Sequence, residues 1–203
     1  GTQEIYWMAA DGAGTPDLLF SPARMTGGAA GSSPSPCGFT RDGKHLLFTL
    51  TRPQGGVEIW MVAVGDPASA RPIVQTSRNA WAATASPDGR FVAFACDETG
   101  REEVYIQQIP VAGGAAAPGA PIAGRRQVTP EGAGGSGGGG GGTAPLFLPG
   151  AGGELAYRTG DQIVAGRIAT EPNFMVGRPR VLAQVSFLPA TLHARNYDAM
   201  PDA

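Results

Sequence analysis

The chain has 203 residues, 42% of them hydrophobic, with 32 glycines, 18 prolines and a formal net charge of -2. This composition supports a packed core with many turns, and without a Lys/Arg block it excludes the clustered positive charge of a nucleic-acid binder. Cys37 and Cys96, the only two cysteines, cannot form a disulfide framework, and no apolar run nears the ~18 residues of a membrane span.

In chain order, Glu4-Ile5-Tyr6-Trp7-Met8 is the first β-type run, followed by one centred on Leu18. Gly38-Phe39-Thr40 then leads into the turn Arg41-Asp42-Gly43-Lys44, with Leu46-Leu47-Phe48 behind it. A third run covers Val57 to Val64 and a fourth is centred on Pro72-Ile73-Val74. The same cassette returns as Ala82 to Ser86, Pro87-Asp88-Gly89-Arg90, Phe91 to Cys96, Glu103 to Ile109 and Arg126 to Thr129. It returns again as Ala144 to Phe147, a looser turn at Pro149 to Gly153, Glu154 to Tyr157, Gln162 to Ile168 and Arg180-Val181-Leu182. Asp-Gly between two such runs predicts a type I′ hairpin with positive φ at both central residues. Asp42, Gly43, Asp88 and Gly89 are therefore structural turn residues.

From Ile5 the third runs recur at Ile59, Val104 and Ile163, with spacings of 54, 45 and 59 residues. The fourth runs recur at Leu18, Ile73, Val128 and Val181, with offsets of 55, 55 and 53. Four antiparallel strands repeated at about 40–50 residues make the blade of a propeller. The expected fold is all-β, a partial, open β-propeller in one domain. Residues 1–32 hold the end of a first blade, 33–76 a second, and 78–130 a third that includes an Ala/Gly/Pro-rich loop at 111–124. Residues 131–142 are an expected disordered glycine-rich loop, 143–185 a fourth blade and 195–203 the start of another. The chain reads as an excerpt, and an unclosed arc with bare blade faces is expected to be marginal or to self-associate.

Residue chemistry offers no catalytic constellation. Ser136 satisfies G-x-S-x-G only because glycines surround it, and a nucleophile elbow needs a strand before and a helix after the serine. The same tract satisfies G-x-G-x-x-G without the strand-to-helix unit that aims amides at a phosphate. His45 and His193, the only histidines, have no nucleophile positioned beside them by any recognisable motif. The cysteines and histidines lack metal-ligand spacing. Asp42 and Asp88 are better explained by their turns than by calcium. Trp7, Trp60, Tyr6 and Tyr105 alternate within third strands, so half of them are expected in packing between blades. No kinase signature (V-A-I-K, H-R-D or D-F-G) is present. No cofactor, metal or catalytic residue is assigned, and the ligand-binding residues stay open.

Ser86-Pro87-Asp88-Gly89-Arg90 followed by Glu103-Val104-Tyr105 resembles the S-P-D-G-[KR] and [DE]-I-[YW] repeat of TolB-like, WD-type propellers. The later order Glu154-Leu155-Ala156-Tyr157-Arg158, Thr170-Glu171-Pro172-Asn173-Phe174 and Gly177-Arg178-Pro179-Arg180-Val181-Leu182 resembles the carboxy-terminal sensor propeller of bacterial eukaryotic-like serine/threonine protein kinases. That resemblance implies a non-enzymatic sensor span that binds a protein or small-molecule ligand at the propeller face. It further implies extracytoplasmic placement and an upstream kinase domain. The alternatives are the gating propeller of a prolyl-oligopeptidase-like hydrolase and a freestanding TolB-like periplasmic scaffold. Thr40-Arg41-Asp42-Gly43-Lys44 keeps only the turn and the basic residue, and Gly150-Ala151 replaces Asp-Gly in the last repeat.

Overall fold

A computed structural model describes residues 3–25, 31–110, 124–130, 141–150, 153–169, 175–185 and 197–199. The expected loops at 111–124 and 131–142 fall almost wholly outside them, as do His193 and Ser136. The first sheet pairs β1 (Ile5–Trp7) with β2 (Asp17–Phe20), ahead of a single 3-10 turn at Pro22–Arg24. The second sheet orders β3 (Ser33–Phe39), β4 (His45–Thr51), β5 (Val57–Ala63) and β6 (Asp66–Val74). The third holds β7 (Ala80–Ala85), β8 (Phe91–Cys96), β9 (Glu103–Gln108) and β10 (Arg126–Gln127). All pairings within these sheets are antiparallel between consecutive strands.

The fourth sheet departs from the simple plan. After β11 (Thr143–Phe147) and β12 (Glu154–Thr159), the long β13 (Gln162–Ala169) carries two strands on its outer side, β14 (Met175–Val176) and β15 (Arg180–Gln184). The outer strand is interrupted at Gly177 to Pro179, where Pro179 has no N–H for the ladder. Gly177 also approaches β13 closely, since a Cβ there would sit 3.3 Å from the Arg167 carbonyl oxygen. The other in-strand prolines obey the same rule: Pro34 and Pro36 lie in edge strand β3, Pro67 and Pro72 in edge strand β6 and Pro145 in edge strand β11.

Why the sheets stack follows from strand period. Successive side chains point to opposite faces, and here both faces are buried, so β4 reads His-Leu-Leu-Phe-Thr-Leu-Thr instead of alternating with polar residues. Leu46, Phe48 and Leu50, with Trp60 and Val62 of β5, pack on Ile5, Leu19 and Phe20 of the first sheet. Leu47, Ile59 and Met61, one residue out of phase, pack on Val92, Phe94, Cys96 and Tyr105 of the third sheet. Ala93, Val104 and Ile106 then meet Leu155, Tyr157, Val164 and Ile168 of the fourth. The result is an open arc of antiparallel β-propeller blades. Trp60 and Tyr105 enter the blade contacts, whereas Tyr6 is 54% exposed.

The first strands carry a shared irregularity. The ladder slips between Pro36 and Gly38, between Trp81 and Thr84, and between Thr143 and Leu146. In the last two bulges an alanine takes left-handed φ, +53° at Ala82 and +52° at Ala144. Residues 197–199 form no strand, and the Tyr197 hydroxyl donates to the Ala144 carbonyl. Among the described residues no helix is long and apolar enough to cross a membrane.

Candidate functional site

The two Asp-Gly turns lie at one end of the sheets and correct an expectation. Only Gly43 and Gly89 have positive φ, +69° and +70°; Asp42 and Asp88 do not. The loops are four residues long, closed by Thr40 with His45 and by Ser86 with Phe91, so the type I′ hairpin is replaced by a type I turn ending in a left-handed glycine. The aspartates work through their side chains. Asp42 accepts the Thr40 hydroxyl at 2.7 Å and the Lys44 N–H at 3.1 Å. Asp88 accepts the Ser86 hydroxyl at 2.5 Å and the Arg90 N–H at 3.1 Å, and pairs with the Arg90 guanidinium at 2.8 Å. The Thr40 hydroxyl holds both carboxylate proton affinity and turn together, and with the Lys44 N–H it keeps the Asp42 carboxyl below its usual range. At Asp88 desolvation opposes, but Ser86 and Arg90 outweigh it and the carboxyl is also lowered. These groups are mutually satisfied, which suits a fixed turn better than a ligand site.

At the opposite end of β4 the chemistry differs. The turn from β4 to β5 and the connection from β6 to β7 meet over a cleft of about 490 Å³. Arg52, Gln54 and Glu58 line one wall, and Thr76, Ser77, Arg78 and Asn79 the other, with Gly55 and Gly56 at the turn. Glu58 organises the first wall. Its Oε2 accepts Arg52 Nε at 3.1 Å, Arg52 Nη2 at 2.8 Å and Trp60 Nε1 at 2.8 Å, while its Oε1 accepts Gln75 Nε2 at 3.1 Å. The Arg52 guanidinium lies 5.4 Å from the Trp60 ring centre, a cation–π contact that fixes the plane of the fork. Trp60 is itself anchored beside Phe20 and Phe48.

The second wall is tied to the third sheet. Asn79 donates its N–H to Asp97 Oδ1 and its amide to Asp97 Oδ2, both at 2.9 Å. Desolvation alone would raise the Asp97 carboxyl, but these bonds prevail and hold it low. The Arg78 N–H donates to Thr76 Oγ1 at 3.2 Å, and Ser77 donates to Glu98 at 3.1 Å. Arg125 then reaches Glu98 at 2.7 Å and the Gln75 carbonyl at 3.2 Å, while fully buried Gln107 donates to the Ile73 carbonyl at 2.8 Å. A parallel bridge between Val57 and Asn79 closes the floor.

The corresponding corner between the third and fourth sheets is filled. Glu103, 1% exposed, takes the Thr129 hydroxyl and pairs with Arg101 at 3.1 Å. Glu102 bridges to Gly141, and a Cβ at Gly142 would strike Thr129 and Tyr157. Glu58 and Glu103 stand out in the sequence as repeat positions. Arg52, Gln54 and the 76–79 segment do not, because they lie in connections outside the repeated runs.

No protein-family model matches the chain, and no curated protein matches it either. Solved structures do. A TolB from Agrobacterium tumefaciens aligns at 16% identity with a TM-score of 0.58, over 89% of this chain and 56% of that one. TolB from Acinetobacter baumannii aligns at 20% identity with a TM-score of 0.50, over 89% of this chain and 40% of that one. The chain thus spans about half the length of these solved proteins. A prolyl endopeptidase is similar at a TM-score of only 0.46, over 92% of this chain and 24% of that one at 14% identity. With sequential antiparallel blades, interleaved blade cores and the TolB alignments together, this chain has the fold of a TolB-like β-propeller.

Proposed function

We propose that the chain is a recognition segment of a β-propeller, without catalysis of its own, belonging to the extracytoplasmic sensor region of a bacterial membrane serine/threonine protein kinase. The observation that carries the recognition half is the polar cleft at the boundary of the second and third sheets. Its walls are connections held on a rigid blade frame, the usual division between scaffold and contact surface. Asp42, Asp88 and the other turn groups at the far end already satisfy one another. What supports the kinase half is the order of segments from Glu154 to Leu182.

The two halves have separate tests. A photo-crosslinking residue at Gln54, Lys44 or Arg101 of the full 203-residue chain should give one discrete adduct with a protein of the parent cell from at least one position. Adducts from none of the three would remove the recognition role. The reading frame of the parent gene should encode a kinase domain before Gly1, and a frame without one would remove the signalling role.

A further inference from the structure

Resting on that recognition reading, we propose that the cleft between the second and third sheets is a carboxylate-binding site for an acidic peptide segment of a partner protein. Its lining contains no apolar side chain, which disfavours a lipid or an aromatic ligand that needs apolar walls. The volume of about 490 Å³ is that of a small-ligand site, and the cleft is open enough for an extended chain to enter.

Charge decides the sign of the occupant. Arg52 lines the cleft and uses Nε and Nη2 on one oxygen of Glu58, which pre-orients its fork and leaves Nη1 outside that pair. Arg78, on the other wall, is exposed, and its guanidinium makes no hydrogen bond among the described residues. The acidic groups nearby are committed: Glu58 to Arg52, Trp60 and Gln75, Asp97 to Asn79, and Glu98 to Ser77 and Arg125. Arg78 lowers Asp97 only through space. Two arginines on facing walls, with Gln54 beside Arg52 as an amide donor, suit the paired oxygens of a carboxylate. A guanidinium fork already fixed by Glu58 and Trp60 loses little side-chain freedom on binding.

The test is NMR titration of the ¹⁵N-labelled full chain with N-acetylated, C-amidated tetraglutamate, tetraglutamine and inorganic phosphate. Tetraglutamate should shift the amides of Gly55, Gly56 and Asn79, and tetraglutamine should not. Arg78→Ala, an exposed loop change that leaves the core untouched, should weaken tetraglutamate binding about tenfold, as loss of one charge-assisted hydrogen bond requires. Lys44→Ala at the opposite end of β4 should leave it unchanged. The proposal is overturned if tetraglutamate leaves the cleft unshifted, if Arg78→Ala has no effect, or if tetraglutamine binds equally. Equal binding of phosphate would make the cleft a general anion site and overturn the peptide assignment. Failure here alongside a crosslinked partner from Lys44 or Arg101 would sink the cleft assignment and leave the recognition role standing.

Discussion

Ala82 and Ala144 hold the same left-handed backbone, φ +53° and +52°, in the bulges of two successive first strands. An L-residue pays roughly 1–2 kcal/mol for that conformation. The repetition shows that the bulge belongs to the blade plan, bending each first strand where neighbouring blades converge, as bulges do. Trp81, next to the first bulge, reaches Thr143 beside the second at 3.4 Å.

Replacing these alanines by glycine should reveal the strain. Ala82→Gly should cost about 1 kcal/mol less than Ala93→Gly, because only the former relieves a left-handed alanine while both lose a buried methyl. Urea unfolding of the two variants measures the difference. Equal losses would mean that the bulge carries no strain.

Glycines divide by what surrounds them. A Cβ at Gly43 meets nothing within 4 Å, so Gly43→Ala should cost only the positive-φ penalty, about 1–2 kcal/mol. At Gly141 the same atom would overlap the Glu102 carbonyl oxygen. Gly141→Ala must therefore break the bridge to the third sheet, and its loss should exceed that of Gly43→Ala in the same thermal melts.

Acid should weaken the blades through their turns and connections. Asp42, Asp88 and Asp97 all have folded carboxyls below the usual aspartate range. A depressed carboxyl contributes stability above its unfolded value, and this is lost as pH falls below about 4 toward the folded value. The unfolding midpoint should be flat from pH 7 to 5 and drop toward pH 3. The double variant Asp88→Asn, Asp97→Asn should be less stable at pH 7 and show a shallower acid drop.

Cys96 reports the contact between the second and third sheets. It is buried among Leu47, Ile59 and Phe94, and desolvation pushes its thiol up, which disfavours the reactive thiolate. Cys37 is half-buried. In native buffer a disulfide reagent should modify Cys37 first, and Cys96 should react only at the rate of unfolding. Rapid labelling of both would contradict the packed interface.

Bare apolar surface makes a further prediction for this 203-residue chain. Tyr6 and Met8 in the first sheet region, and Val181 and Leu182 in β15, are all at least 43% exposed. Size exclusion across micromolar concentrations should show concentration-dependent self-association, and charged substitutions at Tyr6 and Val181 should reduce it. A concentration-independent monomer would contradict this.

The strand plan was legible from the residues because it is local. Doubly apolar runs such as Leu46 to Leu50 announce a strand covered on both faces, and Gly43 and Gly89 mark where one strand turns into the next. The details of those turns were not legible, because Asp-Gly is compatible with two loop lengths. The hydroxyls of Thr40 and Ser86 select the longer one by binding Asp42 and Asp88. The broken outer strand at Gly177 to Pro179 was likewise hidden, since the two-residue β14 is too short to show a strand pattern.

The order of residues by itself determined the repeat, the antiparallel pairing and the apolar strands that supply the blade cores, since these follow from a two-residue period and from turn chemistry. Only the tertiary structure decided that Arg52 and Arg78, 26 positions apart, face the same cleft while the corner around Glu103 is filled. That outcome depends on how closely two separate connections approach when adjacent sheets pack, a distance that no strand pattern encodes.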